Sequence, residues 1–279
     1  MLRALASVGV FAETEGGRFT LTPLAQTLRS DVPESVRAMA RFMAIPACWQ
    51  PWGHLTHSVR TGETGIKKAF GLDNAFDYIS SHPEETEIFN QAMSDHSRQE
   101  TPAVVEAYDF SRFPKIVDVA GGYGTLLSAI LKKHPGVHGT IYEMPQVVDG
   151  ALRAIQAAGL SDRCDVVSGD FFREVPAGAD AYLMKHIIHD WDDERANTIL
   201  RNCRKGLAAG GRVLLAEIVI PPGNDFSFGK LLDLEMMAIP GGKERTEAEY
   251  RDLFAAAGLR LTSITPTKAP ISVIEAAAA

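Results

Sequence analysis

The sequence predicts an α/β protein, in which a doubly wound, mostly parallel sheet with an antiparallel hairpin at one edge follows a largely helical region. Three observations carry this. Over residues 2–108 apolar side chains recur at three- and four-residue spacings, as in Phe76, Ile79, Ile88, Phe89, Ala92 and Met93. After Phe110 short apolar runs alternate with helical patterns, the mark of βαβ units on a parallel sheet. The last two runs, 259–266 and 271–274, lie too close for a helical crossover and are expected to pair antiparallel. The chain therefore divides into residues 1–108 and 109–279.

The elements follow in order. Residues 2–8 read as a core helix and not as a signal peptide, because the segment has one Arg and no small-residue cleavage site before Glu13. Residues 11–24 read as a hairpin around Gly16-Gly17, and 25–28 continue helically. Helix then hairpin is a winged-helix pattern. Residues 1–41 hold five Arg against four acidic residues (5 − 4 = +1) with no basic cluster, which favours a structural wing over a DNA-binding one. The strands of the second region are expected at 115–120, 138–142, 164–168, 179–184, 212–220, 259–266 and 271–274. After the fifth, Thr246 can cap a helix, Glu249 completes a capping box, and Gly258 closes it.

Composition excludes several classes. With 28 basic and 35 acidic residues the net charge is −7, which argues against a general nucleic-acid partner. A hydrophobic fraction of 46% supplies a sizeable core and excludes disorder. The apolar stretch 213–222 is interrupted by Glu217 and falls short of the roughly 20 residues a bilayer crossing needs, so no membrane span is expected. Cys48, Cys164 and Cys203 form neither a disulfide framework nor a metal-type spacing, and a reducing cytoplasm is the simplest setting.

The most informative segment is Val117-Asp118-Val119-Ala120-Gly121-Gly122-Tyr123-Gly124-Thr125, a strand running through small residues into a helix. Small residues let a ligand approach the backbone. As a dinucleotide fingerprint it fails, because glycines at 122 and 124 require a third at 127, where Leu127 stands. An NAD-linked oxidoreductase is therefore the second choice. The segment fits better the acidic-x-Gly-x-Gly-x-Gly loop of S-adenosylmethionine (SAM) enzymes, with Asp118 leading and Ala120 replacing the first glycine. Glu143, 143 − 118 = 25 residues on, ends the second strand, where a carboxylate accepts two ribose hydroxyls and repels a 2′-phosphate. Asp170 ends the third, placed for an adenine amino group with Phe171 covering the ring.

The fourth strand leads into Lys185-His186-Ile187-Ile188-His189-Asp190-Trp191. The two histidines lack a convergent zinc-like ligand set, so no metal is expected. His189, at a strand end beside the cofactor loop, is the better placed to take a proton near neutrality.

With these segments the sequence resembles the caffeic-acid-type, SAM-dependent O-methyltransferase family, which includes bacterial polyketide and hydroxyneurosporene methyltransferases. The likeness covers residues 2–274 and rests on five motifs: Asp118 to Gly124, Glu143-Met144-Pro145, Gly169-Asp170-Phe171, Lys185 with His189-Asp190-Trp191, and Pro240-Gly241-Gly242-Lys243-Glu244-Arg245-Thr246. The resemblance implies a Rossmann-like class I methyltransferase sheet and transfer of methyl from SAM to a hydroxyl of an aromatic or polyketide-like small molecule. It implies His189 as general base, with Glu217 and Glu244 flanking and orienting it. For the cofactor it implies Asp118, Gly121, Gly122, Glu143, Asp170, Phe171 and Lys185; for the acceptor, Phe89, Met93, His96, Asp190 and Met236. It also implies a homodimer, although this sequence starts at the helix before the wing, where family members carry further interlocking helices. The competing classes are a SAM-binding hydroxylase or decarboxylase relative, the NAD-linked oxidoreductase, and a DNA-binding regulator.

Overall fold

A computed structural model describes residues 1–32 and 35–279. It opens with helix α1 (Leu2–Ser7), the hairpin β1 (Phe11–Thr14) and β2 (Arg18–Leu21), and helix α2 (Pro23–Gln26). Gly16 and Gly17, both at positive φ, make the hairpin turn, a backbone state glycine adopts without steric cost. Thr22 caps α2 by accepting the Ala25 N–H at 3.2 Å. The expectation of a core helix fails: α1 forms but buries none of its residues, and Met1 and Val8 are exposed. Six residues against a two-stranded hairpin supply no second layer to cover its apolar side.

Helices α3 (Arg37–Phe42), α4 (Pro46–Trp52), α5 (Leu55–Thr61), α6 (Gly65–Phe70), α7 (Ala75–Ser80) and α8 (Pro83–Ala107) complete the first region. Ile45, Ala47, Cys48, Ile66, Tyr78 and Ile79 bury a shared core that also takes in Ala238 and Ile239 from the second region. The long α8 starts with Pro83 in its first turn, followed by Glu84 and Glu85, a residue order that suits a helix N-terminus.

The second region is a seven-stranded sheet of β3 (Lys115–Val119), β4 (His138–Glu143), β5 (Cys164–Ser168), β6 (Ala179–Lys185), β7 (Leu207–Glu217), β10 (Leu259–Pro266) and β11 (Ser272–Ala278), in the order β10-β11-β7-β6-β3-β4-β5. Strands β5, β4, β3, β6 and β7 are parallel, and β11 runs antiparallel between β7 and β10. Helices α9 (Thr125–Lys133), α10 (Pro145–Ala157), α11 (Asp193–Gly206), α12 (Phe228–Ala238) and α13 (Glu247–Ala256) accompany it. The expected capping box of α13 is present, Thr246 and Glu249 each accepting the other's backbone N–H. Strand order reverses beside β3, so the crevice at the carboxyl ends of β3, β4 and β6 is where a ligand of such a sheet binds.

Three boundaries in the sheet differ from expectation by more than one residue: β7 starts at Leu207 where 212 is expected, and its end and the end of the last strand differ as well. The strand expected at 212–220 ends at Glu217; Val219–Ile220 forms a separate short strand, β8, paired in parallel with β9 (Arg245–Thr246). That pairing pins the segment carrying Glu244 against the end of β7. The last strand extends through the alanine tail to Ala278, and Ala276 and Ala277 are buried between β7 and β10. Ala276 joins the buried cluster that includes Tyr250, Leu253 and Phe254 of α13.

Candidate active site

At the end of β3 the chain turns sharply. Ala120 takes a left-handed backbone (φ 56°) and donates its N–H to the Tyr142 carbonyl at 2.8 Å. Gly121 has no room for a side chain, since a Cβ there would lie 2.6 Å from the Asp118 carboxyl carbon. The Gly122 N–H donates to Glu143 Oε1 at 3.0 Å and the Met144 N–H to Oε2 at 2.7 Å, so the loop and the β4 end are tied through one buried carboxylate. Each Glu143 oxygen keeps a lone pair for a further donor. Burial pushes Glu143 above the usual carboxylate range against those two hydrogen bonds, and pushes Asp118 up to about 7 against the nearby Lys185. A cradle without side chains beside two desolvated acids fits a cationic, hydroxyl-rich nucleoside cofactor such as SAM. Asp170 is exposed and accepts the Phe172 N–H at 2.9 Å, while Phe171 is half-buried, edge-on to Phe172 and Trp191. Leu127, at the position a third fingerprint glycine would take, is a fully buried core residue.

At the end of β6, His186 takes a left-handed backbone (φ 53°) and starts a single 3₁₀ turn, Ile188–Asp190, that carries the buried His189. Three anchors hold this turn. Glu217, fully buried at the end of β7, accepts the N–H groups of Ile187 and Ile188 on Oε1 at 3.0 and 2.9 Å. Arg245, also fully buried, donates to the carbonyls of Ile188 (3.1 Å) and Trp191 (2.9 Å) and pairs with Asp193 (2.9 Å). The Lys243 N–H donates to the His189 carbonyl at 2.9 Å. Gly242 lets the two segments meet, because a Cβ there would lie 1.9 Å from that same carbonyl oxygen.

The imidazole is set by Glu244, whose Oε1 lies 2.6 Å from His189 Nδ1 and whose own N–H donates to Asp233 Oδ1 at 2.9 Å. The two acids expected to flank His189 are thus unequal: Glu217 stands 3.8 Å from Nδ1 and spends its other oxygen on the backbone. Asp190 lies 3.6 Å from Nε2. Burial lowers the His189 pKa, but the charges of Glu217 and Asp190 and the contact with Glu244 outweigh it and raise it to about 10. Burial likewise pushes Glu217 up to about 7 and Asp190 up to about 6, each against the pull of His189. With Nδ1–H given to Glu244, Nε2 carries the lone pair and can take a proton.

A neighbouring cluster was not singled out by the sequence reading. Glu100, buried on α8, lies 2.9 Å from His186 Nε2, 3.3 Å from Lys185 Nζ and 3.4 Å from His96 Nε2. Burial would raise it, yet the hydrogen bond from His186 and the surrounding charges hold it down at about 2. Its one sequence signal is the i, i+4 pairing with His96. Arg245 stood within the Pro240–Thr246 motif without a role. Among the described residues two ligand-like groupings form, His96–Glu100–His186 and His186–His189–Glu217, each with its donor atoms within 4.8 Å of one another. Lys185 already pairs with the carboxylate of the first.

The residues expected to face an acceptor separate. Phe89 joins an aromatic group with Phe42 (5.4 Å between centroids) and Phe76 (6.1 Å), and Phe76 continues to Trp191 (6.1 Å). Met93 is half-buried one turn further along α8, and Met236 is buried on α12. His96 lies instead in the Glu100 cluster, its ring 5.3 Å from that of His186.

Residues 52–260 match the O-methyltransferase domain family. The chain is 45% identical to the phenazine O-methyltransferase PhzM of Lysobacter antibioticus, over 99% of this chain and 80% of that protein. It is 41% identical to the O-demethylpuromycin-O-methyltransferase of Streptomyces alboniger, over 99% of this chain and 75% of that protein. Among solved structures, the O-methyltransferase NcsB1 from neocarzinostatin biosynthesis, in complex with SAM and 2-hydroxy-5-methyl naphthoic acid, superposes with a TM-score of 0.87 at 34% identity, covering 100% of this chain and 83% of that one. The nucleoside-fitting crevice of a class I sheet and these likenesses agree, and the chain belongs to the SAM-dependent O-methyltransferase family.

Proposed function

We propose that this protein methylates a phenolic hydroxyl of an aromatic small molecule, with His189 as the general base. The observation that carries this reading is the buried His189–Glu244 pair at 2.6 Å, held at the end of β6 beside the glycine loop. The cofactor supplies an electrophilic methyl on a sulfonium. Asp118, Gly121, Gly122, Glu143, Asp170, Phe171 and Lys185 are assigned to its binding: Glu143 to the ribose hydroxyls, Asp170 and Phe171 to the adenine. Glu244 fixes the Nδ1–H tautomer and favours the imidazolium, so Nε2 can remove a proton from a phenol whose own pKa is near 10 by analogy with tyrosine. Glu217 and Arg245 act one step back, by holding the turn that aims the ring. Fixing the two reactants together supplies much of the acceleration.

An aromatic acceptor is supported by the Phe42, Phe89, Phe76 and Trp191 group and by the acceptors named for relatives, a phenazine and a naphthoic acid among them. Met93, Met236 and Asp190 are assigned to its remaining walls. Residues 1–108 would cover this acceptor, and residues 109–279 bind the cofactor. Exposed Trp49, Val59, Phe226 and Phe228 support a homodimer, which size-exclusion chromatography with light scattering tests. No helix among the described residues is long and apolar enough to cross a membrane, and the three buried cysteines are free, in keeping with a cytoplasmic enzyme. Incubation with SAM and a panel of hydroxylated phenazines and naphthoates, read by mass, should yield singly methylated ethers together with S-adenosylhomocysteine. Methylation of amino analogues alone would overturn the hydroxyl assignment.

A further inference from the structure

Methyl transfer from a sulfonium to a hydroxyl gives a methyl ether, a neutral thioether and one proton, so each turnover leaves a proton on the base. His189 is poorly placed to lose it: the residue is 7% exposed and surrounded by the buried carboxylates of Glu217 and Glu244 and the partly buried one of Asp190, all of which favour the imidazolium. We propose that His186, Glu100 and His96 form the route by which this proton leaves the site. The proposal rests on His189 being the base and extends that reading to the restoration of the enzyme.

The geometry forms a continuous chain. The His186 ring lies between the other two, with centroids 5.0 Å from His189 and 5.3 Å from His96. A ring nitrogen of His186 lies within 4.8 Å of one of His189, a span that one water molecule bridges. His186 Nε2 then meets Glu100 Oε2 at 2.9 Å, and Glu100 Oε1 meets His96 Nε2 at 3.4 Å. His96 lies about one-third exposed, and with Glu100 and His186 it lines a cavity of about 520 Å³ that reaches the exposed Lys268. The second observation is the state of His186. Its Nδ1 is buried with no partner among the described residues, the condition of a nitrogen left free to accept. Its left-handed backbone (φ 53°) is one that non-glycine residues rarely adopt, so the fold holds this ring in place against strain.

The proton moves as follows. It leaves His189 for the free Nδ1 of His186 through a bridging water; the Nε2–H of His186 passes to Glu100; Glu100 releases it to His96 Nε2 and so to water in the cavity; loss of the Nδ1 proton to water and uptake of one at Nε2 then restore the His186 tautomer. The hydrogen bond from His186 and, after it, the charge of Lys185 at 3.3 Å keep the Glu100 carboxylate ionised between transfers, so Glu100 passes the proton on without storing it. Burial holds the His186 pKa near 4, which makes it a short-lived carrier of charge in the same way.

The test uses the full chain loaded with S-adenosylhomocysteine and labelled with ¹⁵N-histidine, and reads exchange of the His189 ring N–H protons with solvent by NMR. Glu100→Gln and the partly exposed His96→Gln should each slow exchange about tenfold or more while the downfield His189–Glu244 proton stays in place. Added imidazole should restore exchange in His96→Gln, a rescue that a merely structural defect would not show. Exchange at the wild-type rate in both variants, or slow exchange that imidazole leaves unchanged, overturns the relay. The base reading fails separately: if His189→Ala keeps normal turnover, that reading is wrong whatever the exchange rates are.

Discussion

Replacing Glu244 by Gln keeps the shape of the His189 partner and removes its charge. The contact is 2.6 Å between side chains that are almost wholly buried, so the interaction lost is a charge-assisted hydrogen bond, worth about 1.5–3 kcal/mol to the imidazolium. At 1.36 kcal/mol per unit, the His189 pKa should fall by about one to two units. The sign follows from what the carboxylate does: it raises the pKa to favour the charged ring, so its loss lowers it. His189 takes a proton only when Nε2 is bare, so wild-type kcat/KM should climb with pH from neutrality toward the His189 value of about 10. In Glu244→Gln that rising limb should move to lower pH by about one to two units, while the plateau falls about 10- to 100-fold because the imidazolium formed during transfer is less stabilised. A pH–rate profile on a phenolic acceptor gives both quantities. A limb that stays in place, or a plateau equal to wild type, would refute the assignment of Glu244 as the group that tunes the base.

Four further variants, at three positions, probe how the site is held. Gly242→Ala places a methyl 1.9 Å from the His189 carbonyl oxygen; relieving it moves either the turn or the glycine segment, and we expect a loss of about 1–3 kcal/mol in denaturant unfolding together with most of the activity. Wild-type values for both would show that the two segments are not rigidly apposed. Arg245→Met leaves the carbonyls of Ile188 and Trp191 without their buried donor and should lower stability by about 3 kcal/mol, with kcat falling more than cofactor affinity; an unchanged melting temperature would contradict the clamp. At Ala120, held at φ 56°, Ala120→Gly should leave stability unchanged or raise it by up to about 1 kcal/mol, and the β-branched Ala120→Val should lower it by about 1–2 kcal/mol, read calorimetrically. The reverse order would mean that the loop is not left-handed at this position.

The parts legible in the sequence are those whose cause is local. The change from helical to alternating pattern near residue 110 marks where the sheet begins, and the capping box at Thr246 and Glu249 is a three-residue signal that reappears as paired hydrogen bonds. The glycine loop was visible because backbone close to a carboxylate leaves no room for side chains. What was not legible depends on distant segments. The apolar run through residue 220 contains no breaker, so nothing in it shows that Val219 and Ile220 leave the sheet to pair with Arg245 and Thr246. An alanine tail carries no amphipathic signal, yet its register with β7 and β10 buries it. Glu100 lies 85 residues before Lys185, and only the packing of α8 over the end of β6 makes them partners. The acids around His189 could be named from their motifs, but their division of labour could not, because it rests on which carboxylate oxygen faces the ring and which faces the backbone.

The most direct measurement of the central claim is a single-turnover methyl transfer by His189→Ala, made on protein whose affinity for S-adenosylhomocysteine has first been matched to wild type by calorimetry. The account predicts unchanged cofactor binding and a transfer rate lower by about 10²–10⁴-fold at neutral pH, with the deficit narrowing as pH rises and the acceptor ionises unaided. Equal binding with an equal rate would contradict it, and the proton would then have to leave the acceptor by another group.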